Sequence, residues 1–539
     1  MYDVDNETSG TFSEKGRYSF CGIPKIKIPK TDADFYGGDW GFSVLKKYMP
    51  SILAKHREYA DKIKYFRNYR FGLQDILNKQ RLYQSDSANN NQIIENHASR
   101  QVDFKVGFAT GEHREYTAKT ELKDDEEIKS ELTTLAKYFS DCNFFGKDKE
   151  LKDWIYNVGV GITYCSPRTD IIRKIGDDDY AIDENFDIEN EAPFEFDVLS
   201  PIDNFVVYSS SRGEKPLFCV SIVEVEKDAT SETIKLQKEI HVETRYASFI
   251  LNTNLAYKGA TNYRRETLKS TPYLPMVEHC ADSSRIGVVE KNRDIFNLLN
   301  LLVSNTTDMV VDKSNIIYVF EGTDIDGGTL QDMIKAGAIV LPPSQNGTNQ
   351  QAHLNTLKIE IPFDGLDAFY EQRLSQAYDI AGVPLASGQV TSGGDTGQAR
   401  LLGGGWNNAY TVVKNDINSF VESDNTVLKL ILGICKLYPS CPINKIKSGQ
   451  IDIKYRINQS DNFLVKAQGI AQLYTTNMPK ELILKYSGIS SDIGTESTAW
   501  EEHDKAVKEA ANSITTVQPT ADGGIAAQDH KSNDNGSQE

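Results

Sequence analysis

The chain has 539 residues, of which 39% are hydrophobic and 25% are charged, and its formal net charge is −18. This length allows several domains and a large buried core, and the composition is that of an ordinary globular protein. The negative charge argues against a general nucleic-acid-binding surface, which is normally basic. It does not exclude a protein that handles DNA without adhering to it. No apolar run reaches the ~20 residues of a membrane-spanning helix, so no membrane contact is expected.

The cysteines predict no disulfide framework. Their number is odd, and no Cys-x-x-Cys pair occurs. We therefore expect reduced thiols, as in an intracellular compartment. The cysteines are Cys21, Cys142, Cys165, Cys219, Cys280, Cys435 and Cys441.

The first part of the chain combines a polar arm with helical patterns. Residues 1–40 are polar with Gly, Pro and Lys, which predicts an extended arm. Apolar residues recur at helical spacing over 42–83, 92–112 and 122–141. The last of these begins with acidic residues, which the positive end of a helix dipole favours. We expect helical structure in all three.

A strand-rich part is predicted from about residue 160 to 285. Runs of β-branched and aromatic residues stand there between turn signals, which is typical of strands. The predicted strands are residues 159–164, 194–199, 204–208, 217–225 and 240–250.

An acidic segment interrupts these strands. Residues 177–197 contain ten Asp or Glu and no Lys or Arg. Carboxylates can bind metal ions, but the spacing is not that of a D-x-D-x-D-G calcium loop. A solvated acidic insertion is the favoured interpretation.

Longer elements are predicted in the second half. The patterns indicate a helix over 287–312, strands over 315–321 and 353–362, and another helix over 363–382. Between the strands, the Gly- and Pro-rich stretch 322–350 predicts a short helix and a strand joined by turns.

The helix predicted over 363–382 has two faces. One is an apolar stripe of Phe363, Leu366, Tyr370, Leu374, Ala377 and Ala381. Four carboxylates lie largely on the opposite side: Asp364, Asp367, Glu371 and Asp379. The helix should end at Gly382 and Pro384, because both residue types stop helices.

A loop and a third long helix follow. The loop 383–397 is rich in Gly, Ser and Thr and has no Lys or Arg. The helical pattern over 398–438 contains Gly403, Gly404 and Gly405, each of which should cost ~1 kcal/mol relative to Ala. These glycines predict a kink or hinge.

The remaining residues carry weaker signals. A short strand is predicted over 451–457, and helices over 460–475 and 498–511. From residue 513 the composition is that of a disordered tail.

The sequence contains no recognisable catalytic motif. It lacks a G-x-x-x-x-G-K-[ST] phosphate loop, an H-E-x-x-H zinc motif and a G-x-S-x-G nucleophile elbow. The glycines of the loop 383–397 could cradle a phosphate, but no strand ends immediately before them and no lysine lies among them. An enzyme, a metal site and a cofactor are therefore not predicted.

Several ordered groups of residues resemble a known family. They are residues 65–77, 96–111, 200–208, 274–287 and 361–399. Within them stand an early Tyr–Arg–Phe–Gly segment, an Asn, Val–Asp, Gly–Phe segment, a Ser–Pro before an apolar strand, a Leu–Pro entry to a long helix, and Ala–Gly–Val–Pro before the glycine-rich loop. In this order they resemble the portal proteins of tailed bacteriophages, especially long-tailed phages of Gram-positive hosts, over about residues 55–510.

Some features depart from that family's pattern. The family more often has Ser-Gly-x-Ala where residues 396–399 read Thr-Gly-Gln-Ala. The three consecutive glycines and the acidic segment 177–197 are further departures. They affect the expected geometry of the kinked helix and of the outer part.

The resemblance implies a mainly helical α+β fold with β-rich wing and clip parts. It also implies a homo-oligomeric ring, usually of twelve subunits, at one capsid vertex. Double-stranded DNA would pass through the central channel during packaging and ejection. The implied partners are the large terminase subunit, a head–tail adaptor, the major capsid protein and the scaffold. The chain would be located in the virion and, during assembly, in the host cytoplasm. The ATP-driven motor is the separate terminase, which agrees with the missing phosphate loop.

The resemblance also implies a division of the chain. It gives an N-terminal arm 1–40, wing 41–286, first stem helix 287–314, clip 315–362, second stem helix 363–382, tunnel loop 383–397, long kinked helix 398–449, crown 450–512 and disordered tail 513–539.

Within this division three sets of residues are candidates for function. The stripe Asp364, Asp367, Glu371 and Asp379 would line the channel and repel phosphates; the alternative is a solvated or intersubunit face paired with Lys or Arg. The DNA-facing tunnel-loop candidates are Val383, Pro384, Leu385, Ser387, Gln389, Val390, Thr391, Ser392, Asp395 and Thr396. Gly403, Gly404 and Gly405 would form the hinge.

Two other classes of protein remain open at this point. One is a capsid or head–tail adaptor component without a DNA channel, which would not form a wide-bore winged ring. The other is an enzyme with a nucleotide site in the glycine-rich loop, which would bind ATP.

Overall fold

The computed structural model describes residues 22–31, 38–78, 90–111, 113–119, 122, 125–168, 170–174, 180–182, 186–226, 236–245, 247–252, 257–262, 273–312, 317–321, 353–357, 363–385, 406–457, 470, 472–475, 478–480, 482–483 and 499–507. The chain divides into two compact units, 1–458 and 459–539. The first unit is a mixed α+β structure, mostly helical, with several small sheets.

The helices of the first unit include five that exceed fifteen residues. In chain order they are α1 (Gly38–Arg70), α2 (His97–Thr110), α3 (Glu126–Asp141), α4 (Phe144–Val158), α5 (Val288–Asp312), α6 (Phe363–Ala381) and α7 (Trp406–Cys435). A short 3-10 helix, Asp75–Asn78, follows α1.

The strands are mostly short. They are β1 (Ile26–Ile28), β2 (Glu115–Ala118), β3 (Gly161–Pro167), β4 (Ile172–Lys174), β5 (Tyr180–Ile182), β6 (Phe194–Leu199), β7 (Asn204–Ser209), β8 (Pro216–Glu226), β9 (Leu236–Thr244), β10 (Ala247–Asn252), β11 (Tyr257–Asn262), β12 (Met276–His279), β13 (Ile317–Glu321), β14 (His353–Leu357) and β15 (Ile451–Lys454).

The largest sheet has the order β1-β7-β8-β9-β10-β11. Its pairs are antiparallel except β1, which pairs with β7 in parallel, with Ile26 opposite Val207. One face packs on the first half of α1 through Leu45 and Met49. The strand predicted over 240–250 is two strands, because the chain turns back between β9 and β10.

The strand β1 corrects the expectation of an arm with little fixed structure. Ile26 and Ile28 are buried at 4% and 5% exposure, and they belong to the same core as the sheet. Three residues are too short for a clear period-two pattern, so the sequence alone does not reveal that this segment is docked.

The smaller sheets connect distant parts of the chain. The order β12-β3-β6 forms a second sheet, while β4–β5 and β13–β14 are antiparallel pairs. The pairing of β2 with β15 is also antiparallel and places Ile451 opposite Ala118. This last pair joins a strand from the N-terminal part of the first unit to a strand near its C-terminal end.

Two hydrophobic cores hold the helices together. The first joins α3, α4, β3, β6 and the C-terminal half of α7. The second joins α1, α2, α4, α5, α6 and Phe420 of α7. The helix α7 therefore links both cores.

Helix α4 is absent from the sequence-based expectations. Its apolar residues Leu151, Ile155 and Val158 have helical spacing and are fully buried. The charged residues among them obscure the pattern, and two of these, Asp148 and Lys152, are themselves buried. Their burial is explained by their ionic partners, described below.

The other long helices agree well with the sequence. The predicted spans 287–312 and 363–382 correspond to α5 and α6. Helix α7 covers most of the predicted 398–438, and residues 398–405 with the three glycines lie outside the described part. So do residues 322–350.

The second unit is described only in short segments. Residues 472–475 and 499–507 are helical. Tyr474 stacks on Trp500 with ring centroids 5.6 Å apart, and Lys480 forms an ion pair with Asp504. The helical residues 472–475 and 499–507 agree with the predicted helices 460–475 and 498–511 where those are described.

Candidate functional site

Helices α5 and α6 lie side by side and form the most distinctive surface of the first unit. Their contact includes Phe296 on α5 and Ala377, Tyr378 and Ala381 on α6, all nearly inaccessible to solvent. Asn292 is also buried and donates from Nδ2 to the carbonyl oxygen of Ala377 at 2.9 Å. The two helices are thereby fixed to each other.

A row of polar side chains on α5 holds an extended segment against it. Asn300, Ser304 and Asp308 follow each other at intervals of four residues, so they share one face. The backbone N–H of Glu95 donates to Asn300 Oδ1 at 3.2 Å, and that of Ile93 to Ser304 Oγ at 2.9 Å. We call Asn300, Ser304 and Asp308 the polar row.

The polar row corrects the predicted start of α2. The sequence predicts a helix from residue 92, but residues 91–96 have no regular secondary structure and the helix begins at His97, after Asn96 in the left-handed region. Asn91 N donates to Asp308 Oδ1 at 2.8 Å. These N–H groups are satisfied by side chains some two hundred residues away, a partnership that local pattern cannot reveal.

A hydrogen-bonded cluster ties α6 to the start of α2. Tyr370 donates to Glu95 Oε2 at 2.6 Å, and its hydroxyl lies 3.2 Å from His97 Nε2. His97 Nδ1 lies 3.3 Å from the hydroxyl of Tyr378. The hydrogen bond from His97 lowers the pKa of Glu95, while burial raises the pKa of Tyr370. The cluster orients the middle of α6.

The two faces predicted for α6 are present. Leu366, Tyr370 and Leu374 are half-buried, and Ala377 and Ala381 are buried, whereas Phe363 is 43% exposed. The carboxylates Asp364, Asp367, Glu371 and Asp379 are all exposed. Among the described residues none of the four forms an ion pair. We call these four residues the acidic face.

Each helix of the pair also carries an apolar strip that is uncovered in the single chain. Phe369 and Ile380 on α6 are 38% and 46% exposed, and they lie three helical turns apart. On α5, Leu298, Leu301 and Met309 are 38%, 38% and 41% exposed and also share one side. Such strips typically mark contacts with another protein surface.

Helix α6 ends in a Schellman motif at Gly382. Gly382 has φ of 63°, its N–H donates to Asp379 O at 3.0 Å, and the N–H of Val383 donates to Tyr378 O at 2.9 Å. A Cβ on Gly382 would lie 2.7 Å from a methyl of Val412 on α7. Glycine is required here because an L side chain is strained at this φ and has no room.

The loop candidates are described only at their beginning. Val383 is 5% exposed and packs in the core with Leu385 against it, so Val383 anchors the chain and its side chain is not available to DNA in this protomer. Pro384 is half-buried. The remaining candidates and the hinge glycines lie outside the described residues: Ser387, Gln389, Val390, Thr391, Ser392, Asp395, Thr396, Gly403, Gly404 and Gly405.

A buried ionic cluster connects α7, the helix that follows Gly382 in the chain, to α4 and β12. Arg114 lies 2.8 Å from Asp148 of α4 and 2.6 Å from Asp424 of α7. Lys152 lies 4.0 Å from Asp148, and His279 Nδ1 lies 3.6 Å from Asp424. All five side chains are less than a tenth exposed. We call them the ionic cluster.

The ionic cluster balances its charges. Burial lowers the pKa of His279 to about 3, so this imidazole is neutral near pH 7. Burial raises the pKa of Asp424, but Arg114 and Lys152 outweigh it and the net shift is downward. Burial also lowers the pKa of Lys152, although Asp148 and Asp424 oppose that shift. Two basic side chains thus face two acidic ones. Sequence reasoning missed this cluster; the signal was the charged residues of α4 and α7 inside apolar helical patterns.

None of these groups forms a metal or membrane site. No group of three or more His, Cys, Asp or Glu among the described residues could hold a metal ion. In the described part of the chain, every helix is too short or too polar to cross a bilayer.

Comparison with known proteins gives one clear result. No curated protein matches the chain. The phage portal protein family of the SPP1 Gp6-like type matches residues 51–510, nearly the span of the resemblance noted in the sequence. Its members are structural proteins and not enzymes. The chain therefore belongs to the SPP1 Gp6-like family of phage portal proteins, which form the vertex channel for DNA packaging and ejection.

Proposed function

We propose that this portal protein forms a ring of twelve copies in which α5 and α6 build the channel wall. The family match over residues 51–510 is the observation that carries the proposal. The division into arm, wing, two stem helices, clip, tunnel loop, kinked helix and crown given above is part of it, with α5 and α6 as the stem helices.

The uncovered apolar strips support contacts between neighbouring copies. Each copy carries one strip on α5, with Leu298 and Leu301, and another on α6, with Phe369 and Ile380. If the α5 strip of one copy packs on the α6 strip of the next, the contact is head-to-tail, and such contacts close into rings. Covering both strips also removes apolar surface from water.

The assembly test uses one charged substitution in each strip. We expect Leu301→Asp and Ile380→Asp to yield single chains or small oligomers, seen by light scattering and negative-stain imaging. Leu236→Asp is the matched control, because Leu236 is 59% exposed on β9, away from both strips. Intact rings from both strip variants would rule out this contact, and the absence of rings from the unaltered protein would rule out the proposed assembly.

The acidic face is proposed to line the channel. Asp364, Asp367, Glu371 and Asp379 are exposed without ion-pair partners among the described residues, and a ring would repeat them around the bore. Like charge opposite phosphates opposes adhesion over about the 8 Å screening length at physiological salt. DNA could then slide past the wall and would not bind to it.

A charge-matched pair of variants tests this lining. We expect rings with Asp364→Asn, Asp367→Asn, Glu371→Gln and Asp379→Asn to retain double-stranded DNA about tenfold more strongly, equivalent to ~1.4 kcal/mol. The control neutralises four exposed carboxylates elsewhere: Glu58, Asp61, Glu150 and Glu422. Equal DNA retention by both variants would place the acidic face away from the bore.

The loop after α6 is proposed to be the tunnel loop that contacts passing DNA. Its start is anchored by Gly382 and Val383, and it has no Lys or Arg up to residue 397. Contact would then be steric or through weak hydrogen bonds. Deleting residues 386–397 should leave rings intact and impair DNA packaging or retention; loss of rings would instead assign the loop to assembly.

The proposed partners follow from the same role. They are the large terminase subunit, a head–tail adaptor, the major capsid protein, the scaffold and double-stranded DNA. The proposed location is the portal vertex of the virion, after assembly in the host cytoplasm.

A further inference from the structure

We infer that Cys435 and Cys441 form a reversible disulfide that fastens the C-terminal end of α7 to the segment after it. The inference goes beyond the channel role and uses it in one respect only, because a virion passes from the reducing host cytoplasm to an oxidising exterior.

The chain path brings the two thiols together. After α7 ends at Cys435, two consecutive turns reverse the chain: Tyr438 N donates to Cys435 O at 3.2 Å, and Cys441 N donates to Tyr438 O at 3.0 Å. The hydroxyl of Tyr138 lies 3.6 Å from Cys441 Sγ, and each of the two thiols shifts the pKa of the other. Both cysteines are unbridged in this structure.

The surroundings keep this pair in place. Cys435 and Cys441 are 0% and 2% exposed, and both belong to the core that contains Tyr138 and Tyr438. Glu131 on α3 accepts hydrogen bonds from the backbone N–H groups of Lys445 and Ile446, at 3.0 and 2.8 Å. The segment that carries Cys441 is thus held from both sides.

The turn before Cys441 is at the surface. Pro439 and Ser440 are exposed and directly precede this cysteine. Both thiols are buried, so the proposed reaction requires local opening of this turn, a motion that surface segments undergo more readily than packed helices.

Cys441 is the thiol suited to react first. Hydrogen bonding from Cys435, assisted by Tyr138, lowers the pKa of Cys441, whereas Cys435 has its pKa raised by the same contact. Cys441 is therefore the thiol that loses its proton more readily, and the thiolate is the reactive form.

The reaction is an exchange with a low-molecular-weight disulfide such as that of glutathione. The Cys441 thiolate attacks one sulfur of the small disulfide, forms a mixed disulfide and expels one small thiolate. Cys435 then loses its proton and attacks the Cys441 sulfur, which releases the second small thiolate. The protein gives up two electrons and two protons, and one small disulfide becomes two small thiols.

The sequence provides a direct assay. Lys429, Lys436 and Lys445 are consecutive trypsin sites, so digestion yields the peptides 430–436 and 437–445, with one cysteine each. The full-length protein, prepared under reducing conditions, is incubated with glutathione disulfide at pH 7.5, alkylated, digested without reductant and analysed by mass spectrometry. We expect the two peptides to appear as one linked species that dithiothreitol separates.

Variants and particles complete the test. Cys280→Ser should leave the linked species unchanged, whereas Cys435→Ser should abolish it and leave glutathione on Cys441. Purified particles should contain the link in larger proportion than protein from freshly lysed reducing cytoplasm. Two alkylated peptides after oxidation of the unaltered protein, or links of either cysteine to Cys142 or Cys165, would overturn the inference. Ring imaging is separate, so a missing link with intact rings contradicts only this inference.

Discussion

The ionic cluster and the acidic face use similar residues in opposite ways. In the ionic cluster, Asp148 and Asp424 are buried beside Arg114 and Lys152 and hold α4, β12 and α7 together. On α6, four carboxylates are exposed without ion-pair partners in the described part of the chain. The difference shows that burial and pairing, and not residue type, separate carboxylates that hold helices together from those that remain on the surface.

Removing the central cation of the ionic cluster should have the largest effect. Arg114→Met leaves two buried carboxylates without their main partner, and breaking a buried ion pair in this way costs about 3–5 kcal/mol. The expected result is a strongly lowered urea midpoint or insoluble protein.

The matched control for Arg114 is Lys445→Met. Lys445 pairs with Glu127 at 2.6 Å, but both side chains are more than 60% exposed, and such surface pairs contribute little to stability. Arg114→Lys, which keeps the charge, should fall between the two. Similar urea midpoints for Arg114→Met and Lys445→Met would contradict the structural role of the ionic cluster.

The next largest loss of stability is expected from a substitution at the contact between α6 and α7. Gly382→Ala must hold φ near +63° and places a Cβ 2.7 Å from Val412, so we expect a loss of about 2 kcal/mol. Gly365→Ala in the same helix is the control, because nothing lies within 4 Å of its Cβ. There alanine should stabilise by ~0.5–1 kcal/mol. Denaturant unfolding of both variants measures the predicted difference in sign.

Glu243 is an intermediate case, half-buried with one buried carboxylate oxygen that has no partner. This Oε2 has no hydrogen-bond partner in the described structure, and burial raises the pKa of Glu243 to about 7. The folded state then holds a proton that the unfolded state releases near pH 4.5. Stability should therefore fall as pH rises from about 4.5 to 7, by on the order of 3 kcal/mol, and level off above pH 7.

Glu243→Gln provides the measurement for this intermediate case. The amide has no charge to lose, so the fall in unfolding free energy between pH 4.5 and 7 should shrink. The control is Glu224→Gln on the same sheet, where the carboxylate lies 3.5 Å from Lys238 and is exposed. An unchanged pH profile for Glu243→Gln would show that this carboxyl is hydrated or paired in solution.

The smallest effect is expected from the acidic face. Neutralising Asp364, Asp367, Glu371 and Asp379 should change the stability of the protomer by no more than ~0.5 kcal/mol, as surface substitutions usually do. A loss comparable to that of Arg114→Met would mean that these carboxylates are paired across the subunit contact, which is the alternative interpretation of the face.

Long helices and their faces could be predicted from the sequence, whereas partnerships between distant residues could not. The stripes of α5 and α6 repeat over five or more turns, so their period is unambiguous. Residues 91–96 look helical locally, yet they are not helical, because the polar row of α5 supplies partners for their backbone N–H groups. Nothing in the sequence around Arg114 indicates that this residue pairs with Asp148 and Asp424. The same holds for Cys435 and Cys441, which two turns bring into contact.

Two glycines lie where the helix pair α5–α6 meets the rest of the first unit: Gly287 before α5 and Gly382 after α6. A Cβ on Gly287, just before α5, would lie 2.1 Å from the carbonyl oxygen of Asn157 on α4, and a Cβ on Gly382 would lie 2.7 Å from a methyl of Val412. Val288 and Phe296 of α5 and Ala377 and Ala381 of α6 belong to one core with α1, α2 and α4. A change in the length of this helix pair is therefore compatible with the core only if the contacts near both glycines are kept.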